Sequence, residues 1–197
     1  PFQGEPYNPA YYPELLAGLG YTLDHDYCTT GTTHADLNPL DDKTKEMLDW
    51  TKKQLANFEI LHLTKAAWNA NLQRFYELIE CMFAEAWCYA GITFEQFSAS
   101  VGKSFPRLLD SRLSLYCTIH GEIMGFTVLF PDYGQLLCQG AAHRIEYSQL
   151  NYDEHFKLLK EPRLLVKTIG VHPSVQKIGV YPLMASKIRA EFGAYYH

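Results

Sequence analysis

Residues 113–130 leave this chain the fewest options. Leu113, Leu115, Cys117 and Ile119 alternate with Ser114, Tyr116 and Thr118, then come His120-Gly121 and the apolar run Ile123 to Phe130. Successive side chains of a strand point to opposite faces, so this alternation suits a strand with one buried side. Two such runs joined by a polar residue and a glycine predict an antiparallel hairpin with a turn of about two residues, Gly121 supplying the positive φ. The fold must therefore contain an antiparallel sheet, and the remaining elements must cover it.

Helical spacing supplies the cover. Leu72, Phe75, Tyr76, Ile79, Phe83 and Ala86 recur at three and four within Trp68 to Tyr89, the strongest helical pattern in the chain. Cys81 and Cys88 lie seven apart on it, so they share a face, read here as core. Thr93 followed by Gln96 is a capping box, predicting a second helix to about Leu109, with Pro106 breaking its last turn. Phe58 to Leu63 reads as a short strand, and Leu164 to Ile169 as another. The polar stretch Asp132 to Glu161 between the hairpin and that last strand is an insert. Nearer the start, Pro13 opens a short helix that Gly18 and Gly20 stop. Tyr21 to Cys28 alternates as a strand, and Thr29 to Asn38 is a linker. Asp41 to Asn57 is an amphipathic helix whose apolar members are Met47, Leu48, Trp50 and Leu55. The expected class is α/β, a mixed, mostly antiparallel sheet flanked by helices.

Composition removes several functions. Seventeen Lys and Arg against 22 Asp and Glu give a net charge of −5, and no basic stripe is available to neutralise phosphates, so no nucleic-acid partner is expected. No apolar run reaches the roughly 20 residues that span a bilayer, so no membrane association is expected. The chain starts Pro1-Phe2-Gln3-Gly4-Glu5 without an initiator Met or the regions of a signal peptide, and it is expected to begin partway through a longer gene product. Five cysteines without C-x-x-C spacing fit a reduced, cytoplasmic setting. The eight histidines show no H-E-x-x-H spacing, so no metal is expected, and no G-x-S-x-G elbow is present. His172 is expected to order the start of the loop that follows it.

One junction carries chemistry. Val166 to Val171 runs through His172-Pro173-Ser174-Val175-Gln176-Lys177-Ile178-Gly179-Val180-Tyr181 into a helix marked by Met184, Ile188 and Phe192. The first N–H groups of a helix lack internal partners and carry partial positive charge, so such a junction suits an anion. Gly179 lets the backbone approach a phosphate closely.

The run Val171, Pro173, Gln176 and Gly179 (V-x-P-x-x-Q-x-x-G) resembles the acyl-CoA pyrophosphate loop of the GNAT acetyltransferases. Phe58–Leu63, Trp68–Leu109 and Leu113–Phe130 resemble that family's first strand, paired helices and central hairpin. The resemblance covers about residues 57–197 and implies a GNAT-like fold. It implies that Ile169, Gly170 and Val171 meet the pantetheine arm, and that Gln176, Lys177, Ile178, Gly179, Val180 and Tyr181 surround the phosphates. Tyr181 departs from the Gly or Ala usual at its position. Residues 1–30, with Tyr7-Asn8-Pro9 and Leu19-Gly20-Tyr21, resemble the tail of a first GNAT-like unit, as in uncharacterised bacterial proteins with tandem units. Residues 31–56 are then linker and helix, and residues 57–197 an acyl-CoA-binding domain that lacks its last strands.

The activity so implied is transfer of an acyl group from acetyl-CoA, or another acyl-CoA, to a primary amine on a small molecule or peptide. No metal is implied. The catalytic residues are not fixed, and pairing of two copies into a homodimer is a further expectation. Glu146, Asp153 and Glu154 are candidate bases but read better as surface groups. Tyr133, Tyr147, Tyr152 and Phe156 read better as pins for the insert than as an acceptor pocket. The alternatives are a degenerate, non-catalytic CoA-binding module and a GNAT-like interaction domain.

Overall fold

The computed structural model describes residues 8–24, 30–31, 40–86, 89–137 and 145–196. Four strands form one antiparallel sheet: β1 (Phe58–His62), β2 (Leu115–Ile119), β3 (Glu122–Pro131) and β4 (Leu164–Val171), ordered β1-β2-β3-β4. The predicted hairpin is β2–β3. Both residues of its turn have positive φ, His120 at 52° and Gly121 at 79°, the geometry whose twist matches paired strands. Asn57, the residue before β1, secures it, its carbonyl accepting from the His120 amide at 3.2 Å. Bulges interrupt the ladder between Cys117 and Thr118 and between Val128 and Leu129, and the second leaves Lys167 of β4 unmatched.

The sheet is covered on both faces, so β3 is buried along nearly its whole length, the expected state of an internal strand under two layers. One face meets α3 (Lys65–Ala70), α4 (Leu72–Phe83), α5 (Phe94–Phe97) and α6 (Lys103–Leu108). Trp68, Phe75, Leu78, Phe97 and Leu108 pack there against Phe126, Val128 and Phe130. Trp68 stacks on Phe75 at 5.0 Å and meets Phe97, Phe105 and Phe126 within 6.4 Å. The helix that follows β4 covers the other face through Val180 and Met184, set against Leu115, Cys117 and Val171.

The long helix predicted over 68–89 is two helices. Thr64 caps the first, accepting from the Ala67 amide at 3.1 Å, and the helix breaks at Asn71 (φ −120°, ψ 21°). The Asn71 side chain donates to the Ala67 carbonyl at 3.0 Å, a local bond that competes with helix continuation. α4 then ends at Phe83, and Tyr89 folds back so that its hydroxyl donates to Glu80 at 2.5 Å.

The capping box at Thr93 and Gln96 forms as expected. Its helix widens into a π-helical turn at Ser98–Gly102 and continues as α6 with Pro106 inside. Pro106 has no N–H for the carbonyl four residues back, that of Gly102. The buried Trp68 indole N–H donates to that carbonyl at 3.3 Å, so proline and tryptophan form one device.

Within the insert come α7 (Gly134–Leu137) and α8 (Tyr152–His155). Tyr152 and Phe156 stack over the Arg112 guanidinium, with Tyr195 on it at 4.0 Å. Arg112 donates through Nε and Nη2 to the fully buried Asp110 at 3.0 and 2.7 Å, and the Tyr196 hydroxyl donates to the same carboxylate at 2.6 Å. The aromatic residues of the insert thus pin it to the domain, and Tyr196 ties the chain after the last helix to the β2 end of the sheet.

One expectation upstream is corrected. The described part of the predicted strand 21–28, Tyr21–Asp24, has no regular structure and joins no sheet; Leu23 is 82% exposed. The rest of that run, and most of the predicted linker, lie outside the described residues. α1 (Tyr12–Gly18) buries none of its residues. In α2 (Asp42–Gln54), Met47 and Trp50 face outward, and the seam that packs is Leu48 and Thr51. Thr51 lies against Gly179, so a small polar residue joins Leu48 on the packed side.

Burial pushes the Cys117 thiol up to about 12. In the unfolded chain it ionises near 9, so above that pH the unfolded state sheds a proton that the folded state keeps. This contribution to stability is complete below pH 9 and is lost as pH rises toward 12. Burial, then the Asp110 charge, raises Tyr196 in the same sense. The urea midpoint is expected to fall between about pH 8 and about pH 10, and Cys117→Ala to flatten the fall; an unchanged midpoint would refute the linkage.

Candidate functional site

β4 ends at Val171, and the chain turns through a 3₁₀ helix, Pro173–Ile178, into α9 (Val180–Phe192). His172 orders the start of this turn: its Nδ1 accepts from the Ser174 amide at 3.2 Å, and its own amide donates to the Met124 carbonyl at 2.8 Å. Gly179 is the pivot between the two helices, at φ 84° and ψ 12°, a left-handed conformation that suits glycine. No side chain caps α9, whose first-turn amides, those of Val180 and Tyr181, have no partner four residues back within the helix.

The loop residues singled out in the sequence lie together along this path. Gln176, Lys177, Ile178 and Tyr181 are exposed around the helix mouth, while Val180 is buried in the core. The 3₁₀ helix turns the amides of Gln176 to Ile178 back toward carbonyls three residues earlier, so the amides left for a ligand are those at the start of α9. Tyr181 is 46% exposed, so its ring does not fill the core. Ile169 and Gly170 are half-buried on β4. β4 is an edge strand, and among the described residues no strand pairs with its outer side. Backbone groups on such an edge are open to an extended ligand.

Two neighbours of this path were not legible in the sequence. Thr51 of α2 packs on Gly179, where a Cβ would come within 2.9 Å of its methyl group. The segment expected as linker and helix therefore contributes to the loop's support. Gly179→Ala is expected to be destabilised by about 2 kcal/mol and to melt roughly 4–8 °C lower, because it combines positive φ with that contact; wild-type melting would show that the pivot tolerates a side chain. A bulkier substitution at Gly179 would therefore strain the fold and is not a clean probe of ligand binding.

The second neighbour is Cys81. It was assigned to the core, but it is exposed, with Sγ 3.5 Å from Nε2 of His172. The adjacent Met82 fills the space a Gly170 side chain would need. These residues are about ninety positions apart in the chain, so no spacing pattern could have linked them. Cys88 lies outside the described residues.

The acidic candidates have structural partners. Asp153 pairs with Lys65 at 2.5 Å, Glu154 accepts from Asn151 at 3.0 Å, and Glu146 forms a capping box with Gln149. Among the described residues, no three His, Cys, Asp or Glu side chains gather as a metal site, and no helix is long and apolar enough to cross a membrane.

No protein-family model and no curated protein matches the chain. Among solved structures it is similar to an aminoglycoside acetyltransferase from an uncultured soil metagenomic sample, crystallised in complex with sisomicin, at a TM-score of 0.40 and 11% identity over 72% of this chain and 74% of that one. At that level the similarity carries no weight in assigning a function, and the site must be read from its own residues.

Proposed function

We propose that residues 57–197 form an acyl-CoA-binding unit that transfers an acyl group, acetyl first among candidates, to a primary amine. The carrying observation is the join of an open edge strand to an uncapped helix mouth through the left-handed Gly179. An extended pantetheine arm could hydrogen-bond along Ile169 to Val171 while its diphosphate meets the first amides of α9, with the Lys177 ammonium nearby. The protein would supply positioning and amide dipoles.

A second reading has its own support. Thr51 against Gly179 and Tyr181 at a Gly or Ala position both reduce room at the mouth, which favours a CoA-binding module without transfer activity. Acetyl-CoA should raise the melting temperature in a concentration-dependent manner under either reading. Release of free thiol with a panel of amines then separates enzyme from binder. No stabilisation at any concentration would remove both.

A further inference from the structure

The sheet edge opposite β4 carries unused backbone. The Leu63 amide donates to the Ser114 carbonyl at 2.8 Å, and the Asn57 carbonyl accepts from the His120 amide at 3.2 Å, so both residues turn their backbone toward the β2 hairpin. Backbone direction repeats at every second residue. Glu59 and Leu61 therefore face β2 as well, and the N–H and C=O groups of Phe58, Ile60 and His62 point away from it. Among the described residues no strand pairs with that outer side. A row of such groups is a template for another extended chain.

The surface beside this edge is shaped for one. A groove of about 780 Å³ lies between β1, α2 and α9. Leu48, Phe58, Ile60 and Leu183 form its apolar floor, and Phe58 and Ile60 face it because they pack on the cluster beneath α9. Alternation sends Glu59 and the exposed Leu61 to the opposite face. Lys45, Lys52 and Lys187 stand on the groove walls with one carboxylate, Asp49. Lys45 and Lys187 hold Asp42 and Glu191 of their own helices at 2.9 and 2.7 Å. Lys52 has no carboxylate partner among the described residues, so its ammonium is the one left to meet a ligand.

We propose that β1 binds an extended acidic segment of a partner protein by antiparallel strand addition. Phe58, Ile60 and His62 supply the backbone bonds, which give affinity, and alternate side chains give specificity. Residues directly opposite these three share their face. A glutamate there lays its methylenes on the apolar floor and reaches Lys52 with its carboxylate. The residues between fall beside Leu61 and are aliphatic. A second copy of this chain fits less well. Two copies joined through β1 would set both α2 helices on one face of the joined sheet and bring lysines toward lysines. The surface lies at the far edge from β4 and does not depend on the acyl-CoA reading.

The test titrates the full chain by calorimetry with a blocked heptapeptide that alternates glutamate and valine. Binding is expected, and about a tenfold loss of affinity in Lys52→Glu. His62 is exposed, and His62→Pro removes an outward N–H without touching the ladder to β2, so it should weaken binding to a similar degree. Both variants should melt near the wild type. In this pairing the glutamate amides of the peptide face β1. A peptide N-methylated at those amides should not bind, and one N-methylated at its valine amides should. Lysine in place of glutamate should abolish binding. No binding of the heptapeptide, or equal binding of the two methylated forms, overturns strand addition. Equal binding of the lysine peptide overturns the acidic partner. A chain that sediments as a dimer without peptide, and as a monomer in His62→Pro, would give the edge to a second copy and overturn the proposal as well.

Discussion

Replacing Trp68 with alanine is expected to remove about 3–5 kcal/mol of stability, a large part of the 5–15 kcal/mol that holds a domain together. The loss has two sources. Trp68 is 1% exposed and touches four aromatic rings drawn from α4, α5, α6 and β3, so its removal leaves a cavity where those elements meet. It also removes the indole donor to the Gly102 carbonyl, for which Pro106 offers no N–H. Trp68→Phe separates the two, because it keeps most of the packing and removes the donor. A buried acceptor left unpaired costs about 1–3 kcal/mol, so the phenylalanine variant should lose part of the alanine effect. Urea unfolding measures both. A Trp68→Phe protein as stable as the wild type would show that the π-helical turn does not depend on the indole, and a small alanine effect would contradict the packing itself.

Asp110→Ala is expected to lose about 3 kcal/mol. Asp110 is fully buried and accepts from the Arg112 side chain and from the Tyr196 hydroxyl. Without it, Arg112 keeps only its aromatic neighbours and a part of its surface open to water, and the Tyr196 hydroxyl is left in the core. Tyr196→Phe removes one donor and leaves the ion pair, so its effect should be near 1 kcal/mol. Unfolding of the three proteins tests the order. Equal effects of the Asp110 and Tyr196 variants would mean that the ion pair with Arg112 contributes nothing.

Local pattern made much of the fold legible. The hairpin, the strands at Phe58 and Leu164, the capping box at Thr93 and the final helix rest on neighbours two to four residues apart, and each forms. The break at Asn71 was not legible because an apolar spacing of three and four continues through it; one side-chain bond to Ala67 decides it. The burial of Thr51 in α2 was not legible, because a small polar residue carries no apolar signal and its neighbour Gly179 is remote in the chain. At the site, the sequence marked the loop and its glycine pivot, since both lie in one short run. Cys81 beside His172 and Thr51 beside Gly179 are products of the packing of distant elements. Of the insert aromatics read as pins, Tyr152 and Phe156 stack on Arg112 and Tyr147 on Arg107.

The central claim is that the mouth of α9 holds a diphosphate, and Tyr181→Asp tests it most directly. Tyr181 is exposed in the first turn, where a carboxylate favours the helix by complementing its dipole, so the fold should be kept or slightly strengthened. The same carboxylate repels a phosphate at that position. Calorimetric titration with CoA is expected to show binding to the wild-type chain and at least about a tenfold loss of affinity in Tyr181→Asp, with no fall in melting temperature. Equal affinity for CoA in the two proteins, or no binding to the wild type, would contradict the account.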